Sequence, residues 1–142
     1  MNKSGIECQA EVVDMAQYQN YKNTILIIEK DPHTGYLLDY MLSREGYEVI
    51  STTSCESAGH MMRQMLAPAV IFLDTELSAA NDFALLRTIR GMPGWQITPV
   101  LLLAEYYAIK EVDLALEAGA TDYIVQPFNP VELQFQIQRH SL

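Results

Sequence analysis

The sequence predicts an α/β domain in which five parallel strands form a doubly wound sheet. Short apolar runs rich in β-branched residues alternate along the chain with segments whose apolar residues repeat at helical spacing. Five strands that are each followed by a helix imply a parallel sheet with helices on both faces. A chain of 142 residues, with 49% apolar and 19% charged residues, has the length and composition of one globular domain.

Each predicted element has a local signal. The apolar run Thr24–Ile28 is typical of a strand buried on both faces, and Asp31 followed by Pro32 marks the start of a helix that Gly46 ends. Further strands are predicted over 47–52, 70–73, 100–103 and 123–125. Further helices are predicted over 58–66, 83–89 and 112–118. Pro68, the turn 91–94 and Gly119 end these helices.

The last segment carries two conflicting signals. Its apolar residues alternate with polar ones, which alone is typical of a strand: Val131, Leu133, Phe135 and Ile137. Asn129 before Pro130, with Glu132 three residues on, instead favours a helix start. Because the preceding strands are each followed by a helix, we predict a fifth helix here.

Residues 1–22 are polar and only weakly periodic, and we interpret them as an extension before a domain over 23–142. The extension is either a mobile tail or contains a short helix around 11–17. A net charge of −9 with a pI near 4.6 argues against binding to nucleic acid or to an anionic membrane surface.

Two cysteines, Cys8 and Cys55, exclude a disulfide framework and a cysteine-rich zinc site. The longest apolar run, Val100–Ala104, is too short to span a bilayer, and the first residues lack the pattern of a signal peptide. We therefore expect a soluble cytoplasmic protein.

The residues just after the strands are the candidate site, because a doubly wound sheet binds ligands at the carboxyl ends of its strands. Glycine-rich phosphate loops and the nucleophile elbow of hydrolases are missing from the sequence. Carboxylates remain: Glu29 and Asp31 follow the first strand and Asp74 follows the third, its neighbour in a 2-1-3-4-5 order. These acids either form one acidic pocket or cap helices and face solvent.

Four stretches resemble the receiver (CheY-like) domain of two-component response regulators: ILIIEKDP (25–32), AVIFLDTELS (69–78), TPVLLLAE (98–105) and ALEAGATDYIVQPF (115–128). The resemblance covers about residues 23–140 and implies a flavodoxin-like fold with the strand order 2-1-3-4-5. It implies that Asp74 accepts a phosphoryl group from a sensor histidine kinase. It also implies that Tyr123 is the aromatic switch residue and that the Gln126–Pro127 bond is cis.

Three of the five chemical positions of the site depart from the family pattern, as do Ser78 and Asp82 in the loop after Asp74. The acidic pair that binds Mg²⁺ in receivers falls on Glu29 and Lys30, the hydroxyl residue after strand four falls on Ala104, and the lysine before proline falls on Gln126. A Lys30 ammonium about 4 Å from the acceptor would disfavour the metal by up to roughly 4 kcal/mol per charge at an effective dielectric of 20. Metal binding is therefore expected to be weak or absent, with Glu29 and Asp74 as the ligands if any binds.

These departures predict a degenerate receiver, or pseudo-receiver, that works by protein contacts and is not an enzyme. We hypothesise that Lys30 pairs with Asp74 and fixes one switch conformation without phosphate. The alternative is a working acceptor in which Glu29, Asp31 and Asp74 assemble a Mg²⁺ site. A third reading is a small phosphohydrolase with Asp74 as nucleophile and Glu29 as acid.

The resemblance also implies a contact surface formed by the fourth predicted helix, the fifth strand and the fifth helix. The partner would be a sensor histidine kinase, a downstream effector or a second copy of the chain. Matching residues beside the switch aromatic Tyr123 are Tyr106, Tyr107, Ile109 and Lys110. The two adjacent tyrosines are either an interface anchor or half-buried packing.

Overall fold

The computed structural model describes residues 23–140, and its five strands all pair in parallel. They are β1 Thr24–Ile28, β2 Glu48–Thr52, β3 Val70–Asp74, β4 Val100–Ala104 and β5 Asp122–Val125. The strand order is β2-β1-β3-β4-β5, which confirms the predicted topology. The predicted helix around 11–17 lies outside the described residues.

Within residues 23–140, six helices connect and cover the strands: α1 Pro32–Arg44, α2 Cys55–Met62, α3 Thr75–Ala80, α4 Ala84–Gly91, α5 Ile109–Ala118 and α6 Pro130–His140. The ambiguous last segment is helical, as predicted. Its start is capped by Asn129, whose Oδ1 accepts a hydrogen bond from the Glu132 backbone N–H at 2.8 Å. The cap and the burial of Leu133 and Ile137 against the sheet outweigh the strand-like alternation.

The short helix α3 was not predicted. It has six residues and no apolar repeat at helical spacing, so no hydrophobic pattern indicates it. Residues 81–83 separate it from α4, and two of them, Asp82 and Phe83, adopt positive φ angles of 58° and 60°. The helix α2 begins at Cys55 and ends at Met62, so it stops before the end of the predicted segment 58–66.

The core forms two layers, one on each face of the sheet. Alternate residues of β1 face opposite layers, with Ile25 and Ile27 on one face and Leu26 and Ile28 on the other. The helices α1 and α6 cover the first face, and α2, α4 and α5 cover the second.

The Gln126–Pro127 bond is cis, as the resemblance implied. Among the helices between residues 23 and 140, none is long and apolar enough to cross a membrane.

Candidate functional site

Asp74 lies at the carboxyl end of β3 and is only 5% exposed. Its Oδ1 caps α3 by accepting from the backbone N–H groups of Glu76 at 2.8 Å and Leu77 at 3.4 Å. Its Oδ2 accepts from the backbone N–H of Lys30 at 3.3 Å. The carboxyl group is thus held by donors from the ends of two neighbouring strands.

Glu29 follows β1 directly and is 4% exposed. Its Oε2 accepts from the backbone N–H of Asp31 at 3.0 Å, and its carboxyl is hydrogen-bonded to Asp74. Burial first, and the hydrogen bond to Asp74 second, raise the pKa of Glu29 to about 8. The fold therefore brings Glu29 and Asp74 together as one buried carboxyl pair.

Asp31 has a different role from the other two acids. Its exposed carboxylate caps α1, accepting from the His33 backbone N–H at 3.1 Å and from the Thr34 hydroxyl at 2.9 Å. The Thr34 hydroxyl and then the His33 N–H lower the pKa of Asp31. Only the backbone of Asp31 reaches Glu29, so the helix-cap interpretation is right for this residue.

The expected pairing of Lys30 with Asp74 is wrong. The Lys30 ammonium pairs with Glu76 Oε1, and only the backbone N–H of Lys30 contacts Asp74. The lysine side chain is 53% exposed, so its ammonium keeps most of its hydration and avoids the cost of burial beside Asp74. Sequence reasoning missed Glu76, although an acid in the first turn after Asp74 was a usable signal.

The two other altered positions lie at the same edge. Ala104 ends β4, is fully buried and accepts at its backbone oxygen from the Gln126 N–H at 2.8 Å. The hydroxyl nearest in sequence to Asp74 belongs to Thr75, and it donates to the Leu103 carbonyl at 2.9 Å. Ala104 and Gln126 therefore bring neither a hydroxyl nor a charge to this edge.

The proposed contact residues are exposed at the start of α5 and on β5. Tyr106 is 77% exposed, Tyr107 65% and Ile109 53%, and Lys110 is also exposed. Tyr123 on β5 is 38% exposed. The interpretation of Tyr106 and Tyr107 as half-buried packing is therefore wrong, and both rings are available at the surface.

Comparison with known proteins agrees with this architecture. The chain is 29% identical over 117 residues to the DNA-binding response regulator MtrA of Mycolicibacterium smegmatis, which covers 82% of this chain and 50% of MtrA. The chain thus spans about half the length of that relative.

Two solved structures share the fold. The signal receiver domain of a signal transduction histidine kinase from Syntrophus aciditrophicus is 28% identical, with a TM-score of 0.72 over 82% of this chain and 88% of that one. The receiver domain of the sensor histidine kinase PA1611 from Pseudomonas aeruginosa, solved with magnesium in its active site cleft, is 25% identical. Its TM-score is 0.74, over 83% of this chain and 96% of that one.

The family profile of the response regulator receiver domain matches residues 25–138, which include the five strands except Thr24, the first residue of β1, and the edge where Glu29 meets Asp74. On this match the chain belongs to the response regulator receiver domain family.

Proposed function

We propose that this receiver domain is a protein-interaction module of two-component signalling whose magnesium-dependent phosphorylation on Asp74 is impaired. The observation that carries the proposal is the position of Lys30. Its ammonium lies at the carboxyl edge of the sheet and pairs with Glu76, two residues beyond Asp74. Lys30 thus places an ammonium, already paired with Glu76, where the family pattern has a carboxylate, so this position supplies no oxygen ligand for a divalent cation.

The carboxylates near Asp74 form a poor donor set for magnesium. Glu29 is the acid that contacts Asp74, while the carboxylate of Asp31 is committed to the start of α1. Within residues 23–140, no group of three or more His, Cys, Asp or Glu side chains is arranged to hold a metal ion. We therefore propose that the domain works without a resident cofactor.

The residues that would contact a phosphoryl group support the same proposal. Phosphoryl transfer to a carboxylate brings two anions together, and donors or cations must stabilise the resulting charge. Ala104 offers a methyl group at the end of β4, and Gln126 offers a neutral amide after β5. The domain is accordingly proposed to be a signalling module rather than an enzyme.

A working phosphoacceptor is the second candidate, and the buried pair of Glu29 and Asp74 is the observation that favours it. In this alternative a histidine kinase phosphorylates Asp74 with Mg²⁺ held by these two carboxylates. The related PA1611 receiver domain holds magnesium in its own cleft.

The partner is proposed to be a sensor histidine kinase or a downstream effector in the cytoplasm. The proposed contact surface is formed by α5, β5 and α6, where Tyr106, Tyr107 and Ile109 are exposed. A second copy of the chain could use the same surface, and sedimentation of Tyr107→Ala at increasing dilution tests such a homodimer. The net charge of −9 opposes direct contact with nucleic acid and with anionic membranes.

A two-dimensional NMR spectrum tests the proposal. Spectra are recorded before and after addition of Mg²⁺ with beryllofluoride, a mimic of aspartyl phosphate, for the natural chain and for Asp74→Asn. We expect no saturable shifts around Asp74 and Tyr123. Shifts that saturate in the natural chain and are missing in Asp74→Asn would establish the working acceptor instead.

A further inference from the structure

One carboxylate connects three loops at the carboxyl edge of the sheet. Glu76 lies in the first turn of α3, after β3, and its Oε1 accepts from the ammonium of Lys30, after β1. Its Oε2 accepts from the hydroxyl of Tyr107, in the turn after β4, at 3.5 Å. We name this set of Lys30, Glu76 and Tyr107 the Glu76 tether.

The base of the tether is anchored in the protein. Asp74 accepts from the backbone N–H of Glu76 at 2.8 Å and from that of Lys30 at 3.3 Å. The two residues whose side chains pair are therefore also joined through one buried carboxyl group. The backbone of Glu76 is therefore anchored at the edge of the sheet, which places its second carboxylate oxygen within 3.5 Å of the Tyr107 hydroxyl.

Both donors remain protonated near neutral pH. The pKa of Lys30 is raised, chiefly by its hydrogen bond to Glu76. The pKa of Tyr107 is also raised, first by partial desolvation and then by the carboxylate of Glu76. Glu76 thus accepts from a cation and from a neutral hydroxyl at the same time.

Tyr107 transmits this contact to the start of α5. Its ring packs edge to face against Tyr106, with centroids 5.4 Å apart and planes at 82°. The next residue, Ala108, is buried, donates to the Glu105 carbonyl at 3.0 Å and accepts from the Val112 N–H at 3.0 Å. Tyr107 is therefore directly joined to the hydrogen-bonded turn 105–108 and to the first turn of α5, a helix that packs against α3.

We infer that the Glu76 carboxylate is a built-in anion that holds the turn 105–108 in place when Asp74 carries no phosphoryl group. The tether fixes the exposed surface around Tyr106 and Ile109 in one arrangement. This inference rests on the proposed function, in which that surface meets a partner. It adds that the Glu76 tether regulates the arrangement of this surface. Each contact is exposed or long, so its effect falls on local order rather than on global stability.

Hydrogen exchange with and without each side-chain group tests the tether. The variants are Glu76→Gln, Tyr107→Phe and the two combined, in buffer free of metal and phosphate. Tyr106→Phe is the matched control, because the structure gives its hydroxyl no hydrogen bond within residues 23–140. We expect each single variant to speed amide exchange at Ala108 and Val112, whose N–H groups donate to the carbonyls of Glu105 and Ala108, by about three- to tenfold, as one weak polar contact does when lost.

The combined variant decides between a tether and two unrelated effects. If Glu76 acts through Tyr107, the double variant exchanges no faster than the faster single variant. Exchange in Tyr107→Phe that equals the Tyr106→Phe control would overturn the inference, and so would fold-changes that multiply in the double variant.

The beryllofluoride titration separates the two proposals, because the exchange experiment uses no phosphate mimic. If the mimic binds and the double variant exchanges no faster than the faster single variant, the proposed function is contradicted and the tether is supported. Absence of both would remove the tether and leave the proposed function.

Discussion

The ammonium of Lys30 pairs with the carboxylate of Glu76, while the backbone N–H of the same lysine donates to Asp74 Oδ2 at 3.3 Å. Lys30 thus supplies its half-exposed ammonium to Glu76 and its neutral backbone N–H to the buried Asp74. This division satisfies Asp74 without desolvating an ammonium, which would cost several kcal/mol. It also leaves the charge of the Lys30 ammonium balanced by Glu76 beside the site.

Reversal of the charge at Lys30 is expected to create a magnesium site. In Lys30→Asp a carboxylate joins Glu29 and Asp74 at the same edge, and the repelling ammonium is gone. We expect Mg²⁺ to bind at least about tenfold more tightly than to the natural chain, a conservative share of the electrostatic change. Isothermal titration calorimetry with MgCl₂ measures the difference.

Lys110→Asp is the control for this prediction, because it makes the same charge change on an exposed residue of α5. Equal affinities of the two variants would show that net charge, rather than the place of Lys30, governs metal binding.

The raised pKa of Glu29 predicts a stability that decreases with pH. The folded chain keeps a proton on Glu29 up to about 8, whereas the unfolded chain releases it near 4.5. The stabilisation is therefore complete below the lower value and is lost as the pH rises through the upper one. We expect the free energy of unfolding to fall by up to about 1.4 kcal/mol per pH unit between them. Urea unfolding in metal-free buffer measures this slope.

In Glu29→Gln this carboxyl is replaced by an amide that does not titrate. We therefore expect the free energy of unfolding of Glu29→Gln to depend less on pH than that of the natural chain. A slope in Glu29→Gln equal to that of the natural chain would assign the pH dependence to other groups.

The cap that Asp74 provides for α3 predicts a difference between two substitutions. Asparagine keeps an oxygen that can accept from the backbone N–H groups of Glu76 and Leu77, and alanine does not. We expect the free energy of unfolding, measured by chemical denaturation, to be about 1 kcal/mol lower for Asp74→Ala than for Asp74→Asn. Equal stabilities would mean that α3 does not depend on this cap, whereas the expected order validates Asp74→Asn as a folded control.

Arg90 is predicted to be a major structural residue far from the site. Its guanidinium donates to the Gly119 carbonyl at 2.8 Å, to the Thr98 carbonyl at 2.7 Å and to the carbonyls of Trp95 and Gln96. Loss of the guanidinium leaves these four backbone carbonyls, which lie before β4 and β5, without their donor. We expect Arg90→Ala to lower the free energy of unfolding by about 2–4 kcal/mol.

Arg87 provides the comparison, because its side chain is 57% exposed and its one ion pair within residues 23–140 is with Asp82, at 4.0 Å. Arg87→Ala should change the free energy of unfolding by less than about 0.5 kcal/mol. Thermal unfolding of both variants checks the contrast, and similar losses would contradict the role given to Arg90.

Most of the architecture follows from patterns within a few residues. Runs such as Thr24–Ile28 and Val100–Ala104 are apolar throughout because both faces of a parallel sheet are covered. The caps Asp31 and Asn129 accept from backbone N–H groups two and three residues away, so the local sequence is enough to predict them. The helix α3 was not predicted because its six residues carry no apolar repeat at helical spacing, although Asp74 caps it.

The partner of Lys30 was decided by the tertiary structure. Glu76 lies 46 positions further along the chain, and only the parallel pairing of β1 with β3 brings their loops together. The sequence placed a positive charge at the edge of the sheet, but the choice between Asp74 and Glu76 depended on burial. An ammonium gains more from an exposed carboxylate that leaves it hydrated than from a buried one that is already satisfied by backbone N–H groups.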